Sequence, residues 1–273
     1  MDTLIAWVSL FKEFIFTLLL GLPRIHAFFM SSELLNSAMI PRMPRNGAII
    51  SLSLLVVPIT MPFAKSFEVD SPIEFSAHIA KEYAIGYLLG HLVAWTLWVM
   101  QTAGSLIDNQ RGSGMTGSFD IIQGEETTPL GNLFSQAFLT YIVVSGSFLH
   151  MLGLFYKSYV IWPISVGIPS LSSAFPAMVL ALFDYATGLA IVLAGPILAV
   201  MFVAELALAI VGRFAPQIQI FILVMPIKSL VSMLILVFYF VPALDYIDSV
   251  IWSLDVNFDG LYQLLWPMVH IAP

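Results

Sequence analysis

The sequence predicts an all-α, membrane-type protein built of helical hairpins, and three observations carry this prediction. Hydrophobic residues make up 59% of the 273 residues and charged residues 10%, whereas soluble domains have about 45–50% and about 25%. The apolar residues fall into long runs, which are typical of helices that cross a bilayer. Prolines, glycines and charges cluster between these runs, where helices end. We therefore expect a single domain of about six apolar helices of roughly 20 residues each.

Composition also limits the class of function. The chain has no cysteine, which excludes disulfides, iron–sulfur clusters and a cysteine nucleophile. Its net charge of -7 argues against a nucleic-acid partner. The five histidines are scattered without metal-ligand spacing, and neither a hydrolase elbow nor a phosphate-binding loop occurs. We expect no catalytic residue, no cofactor and no metal.

Six apolar segments follow one another along the chain. They are expected at about 4–30, 48–63, 83–107, 133–156, 178–212 and 217–241. Pro23 is expected to break the first segment, and Pro58 to kink or end the second. The mid-span charges Lys12 and Glu13 either face protein or water or snorkel to an interface. The connection 65–82 mixes both signs of charge and is expected to be solvated.

The distribution of basic residues predicts the membrane orientation. Arginines occupy the first, third and fifth connections, whereas lysines occupy the second and fourth. The tail after the last segment has aspartates but no Lys or Arg. Because cytoplasmic loops carry the excess of basic residues, the pattern favours both termini outside the cytoplasm, by a margin of one residue.

The stretch 104–131 between the third and fourth segments is the first candidate for function. It contains five charged residues and six glycines, a composition that does not suit a lipid-facing helix. We expect a loop, or backbone that lines a wet cavity; the alternative is an extramembrane linker. Residues 112–117 match the G-x-G-x-x-G pattern of dinucleotide-binding folds, but no strand precedes them, so flexible backbone is the better interpretation.

The last two segments predict a helical hairpin with a pair of opposite charges. Pro216 disfavours helix at Ala215 and indicates a tight turn; the predicted turn comprises Arg213, Phe214, Ala215, Pro216 and Gln217. Folding there places Glu205 and Lys228 within roughly one helical turn of each other along the hairpin axis, about 6 Å. A bridge between them would neutralise two buried charges, and we predict it as structural, with proton relay as the alternative.

Several motifs, in order along nearly the whole chain, are similar to those of a known family. They are Asp108-Asn109-Gln110-Arg111-Gly112 with Ser118-Phe119-Asp120, and Arg213-Phe214-Ala215-Pro216-Gln217 with Lys228-Ser229. Pro44-Arg45-Asn46 and Lys157-Ser158-Tyr159 are further similar positions. Together they resemble the SctT/FliR (YscT/SpaR-type) family of type III secretion and flagellar export apparatus proteins. The intact Asn-Gln-Arg-Gly is more similar to the virulence-type SctT branch, whereas Asp120-Ile121 departs from the Asp-Pro frequent there.

The resemblance implies an export-gate component without catalysis of its own, powered by a separate ATPase and the proton-motive force. One copy would join about five SctR and about four SctS subunits in a helical hetero-oligomeric gate. SctU, SctV, the inner rod or needle protein and unfolded secreted proteins in transit would be further partners. The resemblance implies the bacterial inner membrane, within the secretion-system basal body, with the gate raised toward the periplasm. It divides the export-gate domain 1–273 into an SctR-like part, 1–177, and an SctS-like hairpin and tail, 178–273.

The resemblance also implies that the central loop plugs the entry pore. The plug residues would be Asp108, Asn109, Gln110, Arg111, Gly112, Ser113, Gly114, Met115, Thr116, Gly117, Ser118, Phe119 and Asp120. Glycines would let the loop yield to an unfolded substrate, while Met115 and Phe119 would supply apolar bulk for a seal. The alternative is that the glycines only connect two helices.

Two other functions remain open from the residues alone. A stand-alone ion- or proton-coupled secondary transporter would use Asp184, Glu205 and Lys228 as its site. An inverted repeat would favour this reading, and none is visible. A membrane scaffold without a pore is the third possibility, and it would show no leakage after deletion of the loop.

Overall fold

The computed structural model describes residues 2–35, 40–65, 72–112, 128–164, 173, 175–215, 217 and 220–252. Eight α-helices make up the regular structure of these residues: α1 (Asp2–Ser31), α2 (Arg42–Leu54), α3 (Val57–Lys65), α4 (Pro72–Arg111), α5 (Pro129–Ser145), α6 (Ser147–Ile161), α7 (Phe175–Phe214) and α8 (Ile220–Trp252). The prediction of an all-α, membrane-type protein is confirmed.

Four of the described helices are long and apolar enough to cross a membrane. The candidate spans are Leu10–Ser31, Pro72–Arg111, Phe175–Phe214 and Ile222–Trp252, and α5 with α6 would add a fifth if this broken pair counts as one span. The expectation of about six helices of roughly 20 residues is therefore wrong for the described chain. The reason is length: α4 and α7 each run for 40 residues, about 60 Å, twice the hydrocarbon core of a bilayer.

Several helix ends differ from the sequence-based prediction. Helix α1 continues through Pro23, so the predicted break there is wrong; neighbouring residues support the helix at this point, since Arg24 is fully buried. The second segment breaks between α2 and α3, which places Pro58 in the first turn of α3, where proline is tolerated. The predicted fourth segment is two helices, because Gly146 adopts the left-handed conformation with φ 87° and ends α5.

The chain forms two compact units. Of the described residues, the first contains those within 1–95 and 148–176, and the second contains those within 96–147 and 177–252. The predicted division into 1–177 and 178–273 remains a prediction, since these units describe contacts within the isolated chain.

In the first unit, α1 packs against α2, α3, α6 and the first half of α4. Phe28 of α1 packs against Phe155 of α6 with the ring centroids 4.4 Å apart and the ring planes tilted by 33°. Gly86 lets α4 approach α1 so closely that a Cβ at this position would overlap the backbone carbonyl of Arg24. The small residue is therefore required by the packing of the two helices.

A fully buried charge cluster joins three of these helices. Arg24 Nε donates to Glu82 Oε2 at 2.6 Å, and its two terminal nitrogens donate to the backbone carbonyls of Ser158 at 3.0 Å and Trp162 at 2.9 Å. Ser158 lies in the last turn of α6 and Trp162 directly after it, where the helix dipole makes a cation favourable. Arg24 therefore caps α6 from α1 while it neutralises a carboxylate of α4.

Lys81 extends the cluster. Its Nζ lies 3.0 Å from Glu82 Oε1 and donates to the carbonyl of Ile164 at 2.8 Å. Residues 72–82 belong to helix α4, so the prediction that 65–82 is a connection is wrong there. The expected solvation is wrong at Lys81 and Glu82, which are both buried. The charges are buried because they pair with each other and with helix-end carbonyls, which offsets their desolvation.

In the second unit, the second half of α4 lies with α5, α7 and α8. Phe134 of α5 meets Phe240 of α8 edge to face, with ring centroids 5.4 Å apart. Helix α7 buries one stripe of residues at helical spacing: Ala186, Leu189, Ala190, Leu193, Ala194, Ile197 and Met201. Large apolar side chains elsewhere on α7 and α8 are exposed, including Phe202, Val237 and Phe238.

Candidate functional site at the base of the central loop

The central loop is shorter than the sequence suggested. Residues 104–111 form the last turns of α4, and α5 begins at Pro129. The prediction that the whole stretch 104–131 is a loop is therefore wrong at both ends. Its charges are accommodated because they face protein: Asp108 is fully buried and Arg111 nearly so, and the two side chains form an i,i+3 ion pair.

Asp108 holds the two ends of the loop together. One carboxylate oxygen accepts from Arg111 in the same helix, and the other accepts the backbone N–H of Leu130 at 2.6 Å. Leu130 lies in the first turn of α5, where N–H groups lack intrahelical acceptors and negative charge is favoured. The carboxylate therefore ties the C-terminal end of α4 to the N-terminal end of α5.

Two further contacts bring the same helix ends together. Thr128 caps α5 by accepting the N–H of Gly131 at 3.2 Å, and its hydroxyl donates to Ser105 Oγ at 3.0 Å. A Cβ at Gly104 would lie 2.7 Å from the Cα of Gly131, so the helices touch at these glycines. We call Gly104, Ser105, Asp108, Arg111, Thr128, Leu130 and Gly131 the loop clasp.

Helix α8 contacts the end of α4 next to the clasp. Lys228 Nζ forms an ion pair with Glu205 of α7 and donates to the backbone carbonyl of Gln110 at 3.5 Å. Gly112, the first residue after α4, has a φ of 83°, and a Cβ there would lie 3.3 Å from Met225 Sδ. Residues Met225 and Lys228 of α8 therefore contact the chain where it leaves α4.

The structure brings the two predicted partners Glu205 and Lys228 together, but it does not bury both. The Lys228 side chain is 8% exposed, whereas the Glu205 side chain is 42% exposed. The description of a buried pair therefore fits the lysine and not the glutamate. Asp184, the third residue of the transporter alternative, is exposed on α7, about 30 Å along the helix axis from Glu205, so the structure assembles no three-residue ion site.

The remaining predicted site residues are only partly described. Asp108 to Arg111 are helical and Gly112 is a turn residue, whereas Ser113 to Asp120 lie outside the described residues. In the predicted hairpin turn, Arg213 and Phe214 belong to the last turn of α7, and Ala215 donates its N–H to the carbonyl of Val211 at 2.9 Å. Pro216 lies outside the described residues, and Gln217 lies in a turn.

Sequence reasoning missed a carboxylate cluster at the break between α5 and α6. Asp248 of α8 accepts from Ser145 and Ser147 on either side of the break, and Asp245 accepts from Tyr141 OH at 2.7 Å. The sequence-based prediction ends the last segment at 241 and so places both aspartates in the tail, whereas α8 continues to Trp252. Among the described residues, no group of three or more metal-binding side chains comes together.

Comparison with known proteins identifies the family. Residues 15–254 match the family described as "Bacterial export proteins, family 1". The chain belongs to this family. It is 35% identical over 238 residues to the Yop proteins translocation protein T of Yersinia pestis, which covers 85% of this chain and 88% of that protein.

Two further relatives agree with this assignment. The surface presentation of antigens protein SpaR of Salmonella typhimurium is 32% identical over 82% of this chain and 83% of its own length. The flagellar biosynthetic protein FliR of Bacillus subtilis is 27% identical over 84% of this chain and 86% of its own length. The predicted SctT/FliR membership is confirmed. The chain is an export-apparatus component of the type III secretion and flagellar class.

Proposed function

We propose that this chain is the export-gate component through which unfolded proteins enter a type III secretion conduit, and that its central loop closes the entry pore. The observation that carries the proposal is the loop clasp. A buried aspartate, a buried arginine and a capped helix hold both ends of the loop at one place. A loop that only connected two helices would not need such fixed ends, whereas a plug must be held in position to seal.

The length of two helices and the exposed apolar faces of the chain support a place inside a larger assembly. Helices α4 and α7 are about twice as long as the hydrocarbon core is thick. Apolar side chains on α8 remain exposed in the isolated chain, among them Val237 at 74% and Phe238 at 77%. We propose that SctR and SctS subunits cover these faces, in a gate of the inner membrane that is raised toward the periplasm. SctU, SctV and the rod or needle protein would be the neighbours.

We further propose that the chain carries no catalytic step. The buried charges Arg24, Glu82, Asp108 and Arg111 are engaged in helix capping and ion pairing. The chain's contribution would be mechanical: it holds the central loop across a path and lets a substrate push that loop aside. The energy for transport would come from other components of the apparatus.

Deletion of residues 112–117 tests the plug. In cells that express the complete apparatus, the deletion should increase leakage of ions and small solutes while the complex still assembles. The control for strain between α4 and α5 is a variant that replaces 112–117 by a glycine-serine stretch of equal length. It keeps the length of the connection but lacks Met115. It should leak less than the deletion. Leakage equal to that of the unaltered protein in both variants would contradict the plug and favour a scaffold.

A further inference from the structure

Lys228 occupies a position that an ion pair with Glu205 does not explain by itself. Its side chain is 8% exposed, although the Glu205 side chain is 42% exposed and accessible to water. A surface ion pair contributes little to stability, and a lysine that served only such a pair could keep its ammonium group in solvent. A second interaction must therefore account for the buried position of Lys228.

The second interaction is with the end of α4. The Gln110 carbonyl, which accepts from Lys228 Nζ at 3.5 Å, belongs to the last turn of the helix. Carbonyls of the last turn have no intrahelical donor, and the helix dipole places partial negative charge there. A lysine ammonium at this position caps the helix and is favoured by the dipole.

Helix α8 also contacts Gly112, the first residue after α4. Gly112 turns the chain with a φ of 83° and donates its N–H to the carbonyl of Asn109 at 3.1 Å. Met225 lies one helical turn before Lys228 on α8 and packs against Gly112. The direction in which the chain leaves α4 is therefore set by α8 on one side and by the loop clasp on the other.

We propose that Lys228 is a positioning residue that caps α4 from α8 and so transmits movement of the α7–α8 hairpin to the base of the central loop. Glu205 forms an ion pair with the lysine, and the Gln110 carbonyl is the group that the lysine caps. The functional consequence rests on the proposed plug function, because a shifted end of α4 changes the seal only if the loop is the seal. The cap itself does not depend on that function.

A charge exchange separates the cap from the ion pair. Glu205→Lys with Lys228→Glu restores an ion pair between α7 and α8 but places a carboxylate against the carbonyl end of α4, which is unfavourable. If the ion pair were the whole role of Lys228, the exchanged protein would behave like the unaltered one. If the cap is the role, the exchanged protein resembles Lys228→Met. Glu205→Gln removes the pair and retains the cap, and Lys228→Arg retains both.

The test is amide hydrogen exchange of the peptide that contains residues 109–112, measured in the purified assembly of the chain with its co-expressed apparatus subunits. We expect about tenfold faster hydrogen exchange in Lys228→Met and in the double variant with swapped charges. In Glu205→Gln and Lys228→Arg, the rate of hydrogen exchange should change by less than about twofold. The cap would be overturned if hydrogen exchange were unchanged in the double variant with swapped charges, or if Glu205→Gln accelerated hydrogen exchange as much as Lys228→Met does.

Leakage of ions and small solutes in cells that express the same variants is the second measurement. If Lys228→Met fails to assemble, the charge exchange, which keeps both charges, supplies the comparison. Suppose that the loop deletion leaks, and that Lys228→Met shows faster hydrogen exchange at residues 109–112 but no leakage. This result would overturn the coupling between Lys228 and the seal, and it would leave the plug proposal intact. Absence of leakage in the loop deletion would overturn the plug, while the exchange rates would still decide the cap.

Discussion

Replacement of Arg24 by methionine should destabilise the first unit strongly. The guanidinium makes three hydrogen bonds of 2.6–3.0 Å, one to a fully buried carboxylate and two to carbonyls at the end of α6, and it lies 4.3 Å from the ring centroid of Tyr159. Arg24→Met fills a similar volume but leaves those three acceptors without this donor. Loss of one partner of a buried ion pair costs about 3–5 kcal/mol.

The magnitude can be measured as a shift in thermal stability. For a chain of this size, about 3–5 kcal/mol corresponds to a melting midpoint lowered by roughly 10 °C. The assay is the thermal unfolding of the purified assembly, followed by intrinsic fluorescence. Arg24→Lys keeps the cation but cannot reach all three acceptors at once, so it should lose about half as much.

An exposed arginine provides the matched control. Arg42 is exposed at the start of α2, and Arg42→Met should change stability by less than about 0.5 kcal/mol. A midpoint for Arg24→Met within about 2 °C of that for Arg42→Met would refute the reasoning. It would mean that the cluster's hydrogen bonds are replaced by others when the arginine is removed.

Two further predictions concern the loop clasp and helix packing. Asp108→Ala should open the start of α5 and increase leakage several-fold, because it removes the acceptor of the Leu130 N–H. Asp184→Ala, at an exposed position, should not increase leakage. Equal leakage in the two variants would count against the loop clasp. Gly86→Ala should lower the melting midpoint by several degrees, because its Cβ would overlap α1. Gly153→Ala meets open space and should not lower it; similar losses in both variants would contradict the close approach.

The family and the helical character of this protein could be predicted from the sequence. Hydrophobic composition identified the membrane-type helices, and the Asn-Gln-Arg-Gly and Arg-Phe-Ala-Pro-Gln motifs identified the SctT/FliR resemblance. Both signals are local: a run of apolar residues or a short motif is complete within a few turns. The contact between Glu205 and Lys228 followed from a short hairpin, for which helix geometry alone gives the register.

The helix lengths and the buried charges could not be predicted in this way. Lys81 and Glu82 looked solvated because they are charged, and only partners distant in sequence, such as Arg24, make their burial favourable. The loop clasp has the same property, since Asp108 bonds to Leu130 across the central loop. A start signal for α5 was present, because Thr128 followed by Pro129 is typical of a helix N-terminus, and attention to it would have shortened the predicted loop.

The measurement that tests the central claim most directly is native mass spectrometry of the tagged chain, purified in mild detergent from cells that co-express the neighbouring secretion genes. The account predicts one copy of this chain in a large hetero-oligomer with several copies of other apparatus subunits. A monomer or a small homo-oligomer without other subunits, at expression levels where those subunits are present in the membrane, would contradict the export-gate proposal and favour a stand-alone transporter.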